Sequence, residues 1–527
     1  MIRRVEEKAR FPMWRTRALH WIRARRTEIL LFVILLSCYA YFFPRWASWN
    51  QNSRLDLVMA IADQGTLAID EYYQNTGDYA YYNGHYYSDK APGLSFLGIP
   101  FYTVFKTIAT TPVLTPLAEK LLRSEALAAT LREGGTGLLP QKVYFAMALY
   151  FVTFFTVSIP SALLGVILYR FLDLFIKEER PRLLTALAYG LATPAFPYGG
   201  NFLAHQLVAF LLFLAFYLLF QMRGTRRLPW KLGAVGLLLG WALITEYPTV
   251  LIAGALILYA LWSLRSIQTV LWIAVGALLP AALLGAYNWA IYRTVLPMGY
   301  FYSALYLEKH HTGFLSLTHP QPDALWGITF GSFRGLFYLS PVSLLAVVGF
   351  GLWLRKRIHL PEWIMCAWAV ISFLLFNGSS IMWEGGFAVG PRYLLPMLPF
   401  MAVGLGIAFA VLTMRRIGRL LVGGLALWSA ACVWIESVGG QSFPDWTPNP
   451  LFDYSIPKLA SGNIARNLGM ILGLDSFWSL IPLAAALGVI ALLWAHAWPG
   501  DKSRARVAPS KPSTSVSRLQ RESPNNA

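Results

Sequence analysis

Residues 229–264 read PWKLGAVGLLLGWALITEYPTVLIAGALILYALWSL, two apolar runs joined at Thr245-Glu-Tyr-Pro248, and after Arg265-Ser266 a third run fills 268–293. Each run has the length that a helix needs to cross a hydrocarbon core of about 30 Å, roughly 17–25 residues. Three such runs in succession, with almost no polar chain between them, decide for spanning helices rather than a soluble core. Working outward, further runs fall at 29–45, 142–172, 182–199, 203–222, 335–354, 361–378, 391–413, 419–437 and 476–497. The run at 229–264 divides into 229–246 and 247–264, which makes twelve candidate spans.

Composition agrees. The chain has 527 residues, 56% hydrophobic and 13% charged, where a soluble domain carries about 25% charged residues. Aromatics reach 15%, including 20 Trp, which suits rings placed at membrane interfaces. The net charge of +18 sits in short clusters between apolar runs. It therefore marks topology rather than a nucleic-acid stripe, and no nucleic-acid partner is expected. Cys38, Cys366 and Cys432 lie in or beside apolar segments and make no metal or disulfide pattern. They read as small buried hydrophobes.

The basic links are Arg3 to Arg26, Lys177 to Arg182, Arg223 to Arg227, Arg355-Lys-Arg357, Arg415-Arg416 with Arg419, and the tail after Lys502. The positive-inside rule makes these cytoplasmic. Both termini are then expected inside a multi-pass protein of the inner (plasma) membrane, with an even number of crossings. A crossing at 94–112 would invert every later loop, so that segment is expected along the membrane surface. Residues 115–132, with Glu119, Lys120, Arg123, Glu125 and Arg132, are expected to form a second surface helix. Phe43-Pro-Arg-Trp46 is no small-residue cleavage site, so the first helix is expected to stay. The chain divides into a basic N-terminus (1–28), a transmembrane unit (29–498) whose first outer loop spans 46–141, and a tail (499–527) too polar to bury a core.

The remaining outer segments are 294–334, 379–390 and 438–475, with short turns near 200–202 and 246–248. Ionisable groups held at membrane depth are costly, and each is a functional candidate. The first loop carries Asn50-Gln-Asn-Ser-Arg-Leu-Asp56, Asp70-Glu71, Asp78, Tyr87 and Ser88-Asp-Lys-Ala-Pro-Gly93. Its turn residues and tyrosines suit a sugar platform or an interfacial belt better than a plain solvated loop. His205 opens an otherwise apolar helix and Glu246 sits between two runs, both expected on the same face as that loop. Arg392, preceded by Trp383-Glu384-Gly-Gly, and Arg334 are cations on the side where few are expected. A planar guanidinium beside flexible glycines suits a phosphate; pairing with Glu384 is the plainer alternative for Arg392. Gly423-Gly424 falls inside a spanning helix and reads as packing, not a phosphate cradle.

This order of features resembles the GT-C superfamily of membrane glycosyltransferases, nearest in character to aminoarabinose transferases of lipid A and relatives of protein O-mannosyltransferases. The likeness covers about 46–413. It implies an all-α GT-C-like bundle of about twelve transmembrane helices, with surface helices in its outer first loop. It also implies a hexosyl- or pentosyl-type transfer from a polyprenyl-phosphate carrier to a lipid, glycan or protein acceptor on the non-cytoplasmic face. Ser88-Asp-Lys-Ala-Pro92 looks like the family's acid-Lys-Pro element, which implies Lys90 for the carrier phosphate with Asp89 beside it. His205 falls where relatives often carry an Asp. Tyr87, Glu246, Glu384 and Arg392 complete the expected binding set. The family's acidic pair is replaced here by Gln51-Asn52 before Arg54. A base must then come from Asp70, Asp56 or Asp78, and the neighbouring Glu71 favours Asp70. A divalent cation is possible, although no ligand spacing commits to one. A transporter or flippase of lipid-linked sugars is the competing reading, with a polysaccharide ligase or polymerase as a third. Gathering of ionisable groups at helix ends rather than at the midplane favours an enzyme.

Overall fold

The computed structural model describes residues 24–44, 48–109, 111, 116, 119, 139–223, 228–296, 299–439, 444–445 and 447–497. Helix α1 (Arg26–Tyr41) leads to a short polar helix α2 (Trp49–Met59), a hairpin β1 (Tyr79–Tyr82) and β2 (His85–Ser88), and helix α3 (Gly93–Ala109). Short links then join α4 (Val143–Leu172), α5 (Glu179–Leu191), α6 (Ala204–Gln221), α7 (Pro229–Thr245), α8 (Tyr247–Leu264) and α9 (Ile267–Tyr292). After a segment of short turns come α10 (Leu345–Lys356), α11 (Leu360–Gly378), α12 (Arg392–Leu412), α13 (Arg416–Gly439) and α14 (Ser476–Ala495). The hairpin, antiparallel with Tyr79 opposite Ser88, is the one sheet among the described residues.

The protein is an all-α polytopic membrane protein. Among the described residues, eight helices (α4, α6, α8, α9 and α11 to α14) are long and apolar enough to cross a membrane, against twelve expected. The other four expected runs form shorter helices for local reasons. The run at 29–45 gives α1, with 16 residues, and that at 229–246 gives α7, with 17. The run at 182–199 breaks at Pro194 into α5 and the turn Ala195–Tyr198. That at 335–354 breaks at Pro341 into turns ahead of the 12-residue α10. Proline lacks the donor that would carry a helix on.

Burial orders the bundle. The α12 window is 89% buried and forms its axis, whereas those of α9 and α14 are 17% buried. Leu271, Val275 and Leu278 of α9 lie exposed, an apolar surface that water would not tolerate and lipid would. α7 packs on α9 through glycine: a Cβ on Gly236 would lie 1.8 Å from Ile273 O, and one on Gly276 would lie 1.9 Å from Gly233 O. Close backbone approach of this kind replaces the hydrophobic effect where the solvent is itself apolar. Gly423 and Gly424 differ from their expected role, because a Cβ on either meets nothing within 4 Å. The three cysteines are free and buried, as expected.

The first outer segment departs from a loop at its start. Residues 49–59 form a helix whose Gln51, Asn52, Ser53, Arg54 and Asp56 are all buried. α3 lays one face (Leu94, Gly98, Tyr102, Phe105) inward and leaves Val104 and Ile108 exposed. Gly98 meets Val58, Val152 and Phe202, so the helix is packed on α2 and α4. The second surface helix expected at 115–132 lies, apart from residues 116 and 119, outside the described residues. The same holds for the N-terminal basic cluster up to residue 23, for 224–227 and for the tail.

Candidate functional site

α6, α8 and α12 begin, and α7 ends, around one polar centre. Its scaffold is α2. Arg54, 1% exposed, donates from Nη2 to Glu246 Oε1 (3.0 Å), from Nη1 to Ala91 O (2.9 Å) and from Nε to Asn50 Oδ1 (3.1 Å). One guanidinium thus ties the turn after α7 to the segment that carries Lys90. Ser95 Oγ donates to Arg54 O (2.9 Å), and Gln51 Oε1 accepts from Phe202 N (2.7 Å), fixing the turn before α6. The amides at 51 and 52 are therefore structural anchors. Asn52 Nδ2 donates to Asn75 O, and Asn75 Nδ2 donates to Asp56 Oδ1.

Lys90 lies between two carboxylates, with Nζ 2.9 Å from Asp78 Oδ2 and 3.1 Å from Asp89 Oδ1. Asp89 also accepts from Ser303 Oγ at 3.0 Å. Burial pulls the ammonium's pKa down, but Asp78 and Asp89 outweigh it and leave it raised. Burial pushes Asp89 up, with Lys90 opposing. Asp78 Oδ1 has no hydrogen-bond partner among the described residues. Glu246 Oε2 likewise has none, so the centre carries two open carboxylate oxygens.

On the far side of Glu246, His205 Nδ1 stands 4.0 Å from Glu246 Oε1. Its ring meets Tyr393 edge-on at 5.6 Å, and Tyr393 Oη accepts from Arg392 Nη2 at 3.2 Å. Arg54, Arg392 and Lys90 all act electrostatically on Glu246. Arg392 is seated against Gly385, where a Cβ would come within 3.1 Å of its Nε. Gly385 (φ +72°) and Gly386 (φ +62°) hold backbone that L side chains rarely adopt. Arg334, fully buried, donates to Glu384 O (3.1 Å) and Gly386 O (2.8 Å) and stacks on Phe333. Burial lowers its pKa to about 10.

The structure thus gathers Asp78, Asp89, Lys90, His205, Glu246 and Arg392. It does not bring Asp70 to them. Asp70 is exposed, its Oδ2 2.7 Å from His85 Nδ1 and its Oδ1 accepting from Tyr86 N at 2.7 Å. Asp56 is sealed in the α2–Asn75 network, its pKa raised by burial. Glu384 points outward and contributes its carbonyl rather than its carboxylate, and it makes no ion pair with Arg392. Tyr87 packs in the tyrosine layer of the hairpin near Tyr292.

Three residues escaped sequence reasoning in these roles. Arg54 reads there as the residue after a missing acidic pair, and Ser303 has no sequence signal. His310 has a buried Nδ1 without a partner and a ring 4.9 Å from that of Tyr300. Burial, and then Lys90, lower its pKa to about 4, so it is neutral at pH 7. No group of three or more His, Cys, Asp or Glu among the described residues is arranged to hold a metal ion.

Fold and site together define a helical membrane protein with a buried centre of three carboxylates and three cations at the ends of its apolar helices. No protein-family model matches the chain, and no curated protein does. Among solved structures it is similar to ArnT from Cupriavidus metallidurans in the apo state, with TM-score 0.47, 14% identity, and 90% of this chain and 72% of that one covered. The same protein bound to undecaprenyl phosphate gives 0.43, 15%, 90% and 72%. The archaeal oligosaccharyltransferase AglB from Archaeoglobus fulgidus, in complex with an inhibitory peptide and a dolichol-phosphate, gives 0.43, 12%, 79% and 56%.

Proposed function

We propose that this protein is a membrane glycosyltransferase that moves a sugar from a polyprenyl-phosphate carrier to a lipid, glycan or protein acceptor on the non-cytoplasmic face. The observation that carries the reading is Lys90, held between Asp78 and Asp89 beside Glu246 and Arg392. A lysine at a membrane-edge site, with an open carboxylate oxygen next to it, provides a phosphate contact and a base in adjacent positions.

In this scheme Asp78 Oδ1 takes the proton of the acceptor hydroxyl as its oxygen attacks the anomeric carbon. The bond from that carbon to the carrier phosphate oxygen breaks, and the phosphate leaves with the electron pair. Lys90 and Arg392 stabilise its growing charge in a partly dry site, where such contacts are strongest. Three cations there face three carboxylates, so the centre starts near neutrality. Arg54 and Glu246 position the two halves of the site, and His205 with Tyr393 walls it.

The test is sugar release from a polyprenyl-phosphate carrier labelled in the sugar, assayed with the full chain in liposomes. Release that depends on an added acceptor and is lost in Lys90→Ala is the expected result. Movement of the intact labelled lipid across the bilayer, with no release, would replace this reading by the transporter one.

A further inference from the structure

A cavity of about 1550 Å³ lies at the opposite, basic end of the bundle and touches none of the residues of the polar centre. It is a wedge between α5 and α13 with α12 as its floor. At the narrow end Trp434 Nε1 donates to Leu191 O (3.2 Å) and its ring stacks on Phe196 at 4.4 Å, pinning the two helices together. Toward the basic end they part. Arg419, Val422, Gly423, Ala426 and Ala430 line it from one face of α13. From Arg419 to Ala430 the helix rises about 16 Å, half of a hydrocarbon core of about 30 Å. Gly423 faces open space, and Leu187, Leu191 and Phe409 make the other walls apolar.

The mouth is charged. Six arginines and four acids line it. Arg170 grips Glu28 through Nε (2.8 Å) and Nη2 (2.6 Å), and Arg182 pairs with Asp173. Arg26 and Arg419 make no ion pair among the described residues and donate instead to the carbonyls of Leu493 and Thr413. Two cations without acidic partners thus crown a crevice that runs apolar to about the depth of one leaflet.

We propose that this crevice binds an anionic phospholipid of the leaflet on the basic side, with its phosphate at Arg26 and Arg419 and one acyl chain between α5 and α13. A soluble anion would have no use for the apolar depth. A neutral lipid would leave the two guanidinium charges unmatched. The proposal does not depend on the transferase reading.

Native mass spectrometry of the full-length protein, in detergent with equal phosphatidylglycerol and phosphatidylethanolamine, tests it. The wild type retains phosphatidylglycerol selectively. Arg26→Gln with Arg419→Gln lowers that selectivity about thirtyfold, the worth of two basic side chains beside an anionic headgroup. Gly423→Leu fills open space, so it folds normally yet expels the bound lipid by plugging the wedge. Equal retention of the two lipids by the wild type overturns the proposal. So does undiminished phosphatidylglycerol binding in a Gly423→Leu protein that elutes and melts like wild type.

Discussion

At the scale of single residues, Asp70, which sequence favours as the base, and Asp78, which the geometry favours, should part company. Asp78→Asn keeps size and shape but removes the open basic oxygen beside Lys90, so sugar release should fall about 10²–10⁴-fold. Asp70→Asn, which touches only His85 and Tyr86 at an exposed position, should stay within a few-fold of wild type by the same assay. The reverse pattern would return the base to Asp70. Asp56 makes a different prediction. Its folded-state pKa is raised above the ordinary 3.8 by burial, so the folded protein holds the proton more tightly than the unfolded chain. Its contribution is fully present below about pH 4 and fades as pH rises through the raised value. Asp56→Asn keeps the acceptor for Asn75 Nδ2 and has no charge to bury. Its melting temperature should therefore decline less than that of wild type between pH 4 and 8, and equal slopes would count against this account. His205, Glu246 and Arg392 stood out because an ionisable group in or beside apolar sequence is costly, and Lys90 because Ser88 to Pro92 resembles an acid-Lys-Pro element. Arg54 was less legible, since a polar stretch such as Trp49 to Asp56 looks like a solvated loop until its partner, 192 residues away, is seen.

At the scale of elements, the glycines of α7 and α13 should separate in the same way. Gly236→Ala forces a methyl against the backbone of α9 and should destabilise the protein by about 1–3 kcal/mol, the usual cost of overpacking. Gly424→Ala, with nothing within 4 Å, should be neutral or slightly stabilising, as alanine is a better helix former. Thermal unfolding of both variants in one detergent settles it, and equal losses would mean that the α7–α9 contact is looser than drawn. Helix existence was legible in the apolar runs, because a run of this length has few alternatives, but not in the polar α2. Helix length was less so. Hydropathy averages over Pro194 and Pro341, while the backbone stops there.

At the scale of the whole molecule, the distribution of basic clusters predicts that the hairpin and the cationic crevice face opposite sides of the membrane. Asn83, exposed at the hairpin tip with φ +50°, is the natural reporter. Asn83→Cys should react with an impermeant thiol reagent in intact cells, whereas reaction only after permeabilisation would invert the protein. The bundle's axis was not legible beforehand. The runs at 391–413 and 268–293 look equally apolar, yet one is 89% buried and the other 17%. Composition reports that a helix avoids water; only packing reports whether it meets protein or lipid.

The bond between Arg54 and Glu246 also dates the assembly of the site. A ribosome adding about 5–20 residues per second needs roughly 10–40 s to pass from the first residue to the second. For that interval α2 emerges with the counter-charge of its Arg54 guanidinium still unmade. It therefore waits in water or among headgroups and docks only after α6 and α7 have entered the bilayer. Polar residues that occupy the molecule's interior in the finished protein are thus among the last to be enclosed, and a chain stalled before residue 246 should expose α2 to a protease that the complete chain resists.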